Sequence, residues 1–291
     1  MSTLKITVGA LAISAVMTAP AFAAGACEKV SFADVGWTDI KVLSVPVTYT
    51  AMKNKDIDVF LGNWMPTMEG DVRPYLDDGS VESLRVNLEG AKYTLAVPQA
   101  TYDAGLKSFA DIANFKDALG GKIYGIEPGN DGNRLILDMI EKDAFGLKGF
   151  EVAESSEQGM LAQVTRSVKK GKDIVFLGWE PHPMNANVEM AYLEGGDDWF
   201  GPNYGGATVY TNIRAGFVAE CPNVGALLNN LEFSLAMENE IMGAILNDGA
   251  DPRDAAKAWL AGNQGVLDGW LAGVTTKDGG DAMAAVKAAL N

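Results

Sequence analysis

One histidine and two cysteines are all that the 291 residues offer of the side chains most used for zinc sites and nucleophile–base pairs. That scarcity excludes a zinc ribbon and a histidine-rich metal centre, and leaves His182 alone for a histidine-based triad. Basic residues are scarce too: 23 Lys and Arg stand against 38 Asp and Glu, a net charge of −15. A surface of that sign does not grip nucleic acid or anionic lipid through basic patches. Beyond residue 24 no apolar run is long enough to read as a membrane span. There is no nucleophile elbow, His-Glu-x-x-His, Walker loop or dinucleotide fingerprint. The acidic pairs Asp77-Asp78 and Asp197-Asp198 lack calcium-loop spacing and read as solvated surface. His182, between Pro181 and Pro183, reads as a loop residue rather than a catalytic base. No cofactor and no metal are expected.

What is present begins with a targeting segment. Lys5 is followed by the apolar run Ile6 to Met17 and then by Pro20-Ala21-Phe22-Ala23-Ala24. A charged start, an apolar middle and a small-x-small end make a signal peptide over residues 1–24, cut near Ala23 or Ala24. Its removal takes away one positive charge and leaves a still more acidic chain. Cys27 then lies just past the cut and Cys221 far down the chain. In an oxidising compartment the two would pair. Lipidation of Cys27 is the other reading, although the usual Leu three residues before it is absent.

A repeat runs through the chain. Asp56-Ile57-Asp58-Val59-Phe60-Leu61-Gly62-Asn63-Trp64-Met65-Pro66 reads like Asp173-Ile174-Val175-Phe176-Leu177-Gly178-Trp179-Glu180-Pro181. Upstream of each, a strand (Val42–Val47; Phe150–Ser155) and a helix (Tyr49–Lys53; Glu157–Val168) are expected. Further strands are expected over Val30–Trp37, Tyr93–Pro98, Lys122–Ile126 and Thr208–Phe217. A helix is read over Leu106–Ala118 from Phe109, Ile112 and Phe115. Another, Asn133–Lys142, follows the turn Glu127–Gly132, and mostly helical chain runs from Asn223. The pattern is α/β with two lobes. In open α/β sheets ligands sit beyond the carboxyl ends of strands, so each repeat aims a Trp at a shared cleft.

Trp37, Trp64, Tyr93 and Trp179 all fall at strand ends or strand starts. A lone Trp is ordinarily core; several at equivalent strand ends suggest a site. Ring faces are what can hold a quaternary ammonium, which has no N–H to donate. Each face contributes about 0.5–2 kcal/mol when desolvated. Asp39, two residues beyond Trp37, falls on the same side of an extended segment and can accept a ligand hydroxyl. Trp259 and Trp270 are read as core; Trp199 fits either role.

Trp37-Thr38-Asp39, Val59 to Pro66, Pro128-Gly129-Asn130-Asp131 and Leu177 to His182 together resemble the periplasmic choline-binding proteins of ABC importers, within the wider glycine betaine and quaternary-ammonium binding family. The likeness covers essentially the whole mature chain. It implies a two-lobe, type II-like periplasmic binding protein with a hinge and a central cleft, and no catalysis. Lobe 1 would hold residues 25–92 and 212–291, and lobe 2 residues 93–211. The resemblance places the trimethylammonium in a box of Trp37, Trp64, Tyr93 and Trp179. It places the ligand hydroxyl on Asp39 and Asn130, and a disulfide between Cys27 and Cys221. The partners implied are choline and an inner-membrane ABC permease, with the protein a periplasmic monomer.

This chain departs from the family at one point. Ile40 passes directly to Lys41-Val42, where relatives have a crossover helix. A parallel crossover needs a dozen or more residues. Lobe 1 is therefore expected to lack its first crossover helix and to be less stable. Glycine betaine, proline betaine and carnitine are the neighbouring ligand readings, and an exported enzyme is the remote one. A carboxylate-bearing zwitterion would be repelled by Asp39, which favours choline.

Overall fold

The computed structural model describes residues 27–33 and 45–290. Its strands are β1 (Val59–Met65), β2 (Val81–Pro98), β3 (Lys122–Tyr124), β4 (Glu151–Ala153), β5 (Phe176–Glu180), β6 (Met190–Tyr192) and β7 (Gly206–Arg214). They make one seven-stranded sheet in the order β1-β7-β2-β5-β3-β4, with β6 added to β2. The longer helices are α1 (Val45–Lys53), α2 (Glu69–Asp77), α3 (Asp131–Glu141), α4 (Glu157–Lys169), α5 (Pro222–Asn230), α6 (Leu235–Leu246), α7 (Pro252–Gly262) and α8 (Ala282–Leu290).

The sheet is two halves joined by one strand. β2 pairs antiparallel with β7 from Val81 to Lys92, and with β5 from Lys92 to Ala96. On the far side, β3 is parallel to both β4 and β5. α3 and α4 make the β3–β4 and β4–β5 crossovers that parallel strands require. β1, β7 and the first half of β2 form the other lobe, with Phe32 bridging parallel to Val59 at its edge. Apolar runs such as Val175-Phe176-Leu177 are wholly buried, as strands covered on both faces are.

Local chemistry starts the site-bearing helices where they start. Asn130 caps α3 by accepting from the Asn133 N–H at 3.2 Å. Ser156 caps α4 by accepting from Gly159 at 3.1 Å. Each satisfies one N–H that the first turn leaves without a partner.

Three expected elements differ. Val45, Pro46 and Val47, read as the end of a strand, open helix α1 instead. Pro46 lies in the first turn, where its missing N–H costs nothing. Val45, Tyr49 and Met52 recur at helical spacing and are all buried. The crossover from the Phe32 bridge to β1 therefore contains a helix. The Ile40–Lys41 junction itself lies outside the described residues. Leu106–Ala118 is not one α-helix: Phe109–Phe115 is a 3-10 helix and Lys116–Leu119 a single α-turn. Phe109, Ile112 and Phe115 are spaced strictly by three, which is the 3-10 repeat. β2 begins at Val81, twelve residues before the strand read at Tyr93. Trp259 and Trp270 are half-buried, their indole N–H groups donating to Glu240 and to the Glu232 carbonyl.

A disulfide joins Cys27 to Cys221 with Cα atoms 5.5 Å apart, which removes the lipidated reading of Cys27. Cys221 packs with Val59, Ile213, Phe217 and Leu228 at the end of β1 opposite Trp64.

Candidate functional site

β1 and β5 each have a Trp as their next-to-last residue and are left through a cis Xaa-Pro bond, Met65–Pro66 and Glu180–Pro181. Between them runs β2, and Tyr93 is the residue directly opposite Trp179 in the ladder. Directly opposed residues put their side chains on the same face. The Tyr93 ring lies 6.2 Å from Trp64 at 66° and 6.3 Å from Trp179 at 81°. Phe200 backs it edge-on at 5.9 Å. Trp64 and Tyr93 are 7% and 5% exposed, and Trp179 is half-buried. Three of the four expected rings thus converge, one from each lobe and one from the strand both share. Trp37 and Asp39 lie outside the described residues.

The polar end is built on the N-terminus of α3. The Tyr93 hydroxyl donates to Asn130 Oδ1 at 2.9 Å, and Asn130 Nδ2 donates to Asp131 Oδ1 at 3.0 Å. Asn130 Oδ1 is filled by the Tyr93 hydroxyl and the Asn133 N–H. Its amide nitrogen carries a second proton that can be given to a ligand oxygen. Burial holds the Tyr93 phenol well above its usual range, with Asp131 and Glu127 adding to the effect, so it stays a neutral donor. Gly132 is required here: a Cβ would fall 2.1 Å from the Tyr93 hydroxyl oxygen.

Sequence reasoning singled out Asn130 but passed over its neighbour. Asp131 is 1% exposed, and its Oδ2 has no hydrogen-bond partner among the described residues. Burial first, and then the Asp71 carboxylate, push its carboxyl up to about 6 against the opposing pull of Thr67 and Arg134. Nothing in the sequence marks it beyond its place in the turn that caps α3. His182 lies in a loop, as expected, but not at the surface. It is buried, accepts the Met184 N–H on Nδ1 at 2.9 Å, and sets Nε2 3.3 Å from Glu157. Its ring lies 4.9 Å from Trp179. It supports that ring.

The lobes are tied across the cleft. Arg134 of α3 donates to Asp71 of α2 at 2.7 Å and to the Thr67 carbonyl at 3.0 Å. Among the described residues no cluster of three or more His, Cys, Asp or Glu could hold a metal, and no helix is long and apolar enough to cross a membrane.

Residues 5–262 match the family described as the substrate binding domain of the ABC-type glycine betaine transport system. The chain belongs to this family. It is a substrate-binding protein of an ABC transporter, and its kind works outside the cytoplasm. A solved ABC-transporter choline binding protein in complex with choline is 66% identical, with 90% of this chain and 98% of that one covered and a TM-score of 0.89. An ABC-transporter choline binding protein in an unliganded semi-closed conformation has the same identity and coverage but a TM-score of 0.82. Lactococcal OpuAC, closed around glycine betaine, is 27% identical over 78% of this chain and 85% of its own, with a TM-score of 0.70. The chain superposes better on the loaded form than on the empty one, in keeping with the Arg134–Asp71 contact across the cleft.

Proposed function

We propose that the protein captures choline between its lobes and delivers it to an inner-membrane permease without chemical change. The observation that carries this reading is the convergence of Trp64, Tyr93 and Trp179 beside a buried Asn–Asp pair, in a chain 66% identical to a protein solved with choline bound. Ring faces attract the ammonium through their quadrupoles, and Trp37 completes the box. Asn130 donates to the ligand hydroxyl oxygen, while Asp39 accepts its proton. Closure excludes water and so strengthens every one of these interactions. A permease can then tell loaded from empty protein by lobe position. Of the expected boundaries between residues 25–92 with 212–291 and residues 93–211, the one at 92/93 falls where β2 passes from β7 to β5, and we place the hinge there. The chain reaches the periplasm by its first 24 residues, is cut near Ala23 or Ala24, and works as a monomer.

Glycine betaine, proline betaine and carnitine are the second reading, since lactococcal OpuAC was solved with glycine betaine. The buried carboxylate of Asp131 disfavours them, because each carries a carboxylate of its own. Calorimetric titration with choline and with glycine betaine decides between the readings. Choline is expected to bind more tightly, and the Trp179→Ala variant about tenfold more weakly than the wild type. Tighter betaine binding, or an unchanged Trp179→Ala affinity, would refute the assignment.

A further inference from the structure

We propose that His182, the only histidine of the chain, is a positioning residue of the ring site: Glu157 fixes its imidazole, and the imidazole fixes the Trp179 indole in place before the ligand arrives. This rests on the quaternary-ammonium reading above and adds to it two side chains that act through the indole.

Trp179 is the ring most in need of support. Trp64 and Tyr93 are buried, whereas Trp179 is half-buried. Two rings meet it edge-on, Tyr93 at 6.3 Å and 81° and His182 at 4.9 Å and 62°. An indole that turns away about its own side-chain bonds loses its contact with the cation. The observed affinity then falls with the fraction of time the ring is out of place.

His182 itself is held at both ring nitrogens. Nδ1 accepts the Met184 N–H at 2.9 Å, so the ring proton belongs on Nε2, which donates to Glu157 Oε1 at 3.3 Å. Both side chains are 1% exposed. Glu157 is the first residue of α4, directly after the Ser156 cap, so its carboxylate is placed by the start of a helix. The imidazole thereby ties the start of α4 to the end of β5, two elements that are 25 residues apart at this contact. The main chain is fixed separately. Asn185 Nδ2 donates to the Trp179 carbonyl at 2.7 Å and to the His182 carbonyl at 2.9 Å, and the Tyr192 hydroxyl donates to Asn185 Oδ1 at 2.7 Å. With the backbone set in this way, the direction of the indole is left to the rings that touch it. The place calls for a flat ring, an acceptor and a donor in one side chain. Phe would supply only the ring, and Gln only a hydrogen bond.

Choline titrations of His182→Ala, His182→Gln, Glu157→Ala and Glu157→Gln, each repeated in a Trp179→Ala background and each accompanied by a thermal melt, test this. His182→Ala and His182→Gln should bind choline about fivefold more weakly than wild type. His182→Gln keeps a donor for Glu157, which protects its fold. Glu157→Ala should also lose affinity, and Glu157→Gln, which keeps an acceptor for Nε2–H, should lose less. In the Trp179→Ala background these losses should vanish, because the side chain they act through is gone. A loss that persists without the indole would overturn the positioning role, as would wild-type affinity in folded His182→Gln. A second measurement needs no variant. The only imidazole gives one set of ring-nitrogen signals in nitrogen-15 NMR, with the proton expected on Nε2 and the signals expected to shift when choline is added. A proton on Nδ1, or signals indifferent to choline, would overturn the proposal. Wild-type affinity in Trp179→Ala would instead overturn the ring site, and this inference with it.

Discussion

Removing the Cys27–Cys221 bridge should cost stability without costing affinity. The bond spans 194 residues of sequence, so it closes most of the described chain into one loop. The chain-entropy relation puts the constraint it imposes on the unfolded state at about 5 kcal/mol. The folded state has little reason to change. Residues 27–33 stay fastened by Ser31 N–H to Asp58 at 2.8 Å, Asp58 N–H to the Ser31 carbonyl at 2.8 Å, and Ala33 N–H to the Val59 carbonyl at 2.7 Å. Cys27→Ser is the right variant because Cys27 is exposed, whereas Cys221 is packed among Val59, Ile213, Phe217 and Leu228. The bridge sits by Val59 and the rings by Trp64, at opposite ends of β1 and about 17 Å apart along the strand. At about 2–4 °C per kcal/mol, Cys27→Ser should melt about 10–20 °C below the oxidised wild type. Calorimetry of both proteins, with choline titrations alongside, gives the comparison. A melting shift below about 2 °C would refute the entropy argument. An affinity loss as large as the stability loss would refute the placement of the bridge away from the site.

Two further outcomes are expected. Arg134→Met removes the tie between α3 and α2, a partly exposed pair worth about 1 kcal/mol. Ligand affinity should fall about fivefold with the melting temperature of the empty protein nearly unchanged, and adding Asp71→Asn should cost little more. If the empty protein melts much lower instead, Arg134 is a fold residue and not a closure residue. Asp131→Asn should make the empty protein more stable at neutral pH. The folded carboxyl, near 6, lies above its unfolded value, so its favourable contribution is complete below about pH 4 and lost as pH rises through 6. Urea melts should show the two proteins alike at pH 4 and the variant ahead by up to about 3 kcal/mol at pH 8. A wild type as stable as the variant at pH 8 would show that burying this charge costs nothing.

The residues that could be read in advance are those whose local pattern coincides with their global role. Val175-Phe176-Leu177-Gly178-Trp179 is a continuous apolar run with a Trp at its end, and it became the buried strand β5. The first half of β2, Val81 to Ala91, could not be read in this way. Its faces are unevenly buried and its pairing with β7 shifts register three times, so no period of two survives. Val45-Pro46-Val47 looked like a strand because β-branched residues favour strands. The burial of Tyr49 and Met52 decided for helix, as packing overrides propensity. Tyr93 and Trp179 were both singled out, but not that they face each other across a ladder. The burial of Asp131 and the pairing of Arg134 with Asp71 could not be read for a related reason. An acid beside an Asn in a helix-starting turn is ordinarily solvated, and the partner of Arg134 comes from α2, far away in sequence.

β2 belongs to both lobes, paired with β7 on one stretch and with β5 on the next. Two domains joined by a loop can melt one at a time, each with its own transition. Here the amides of Lys92 and Tyr93 sit where the two ladders meet, so neither half of the sheet can open without exposing the edge of the other. The same strand that lets the lobes bend obliges them to unfold together. A protease should therefore find β2 among the last places to cut.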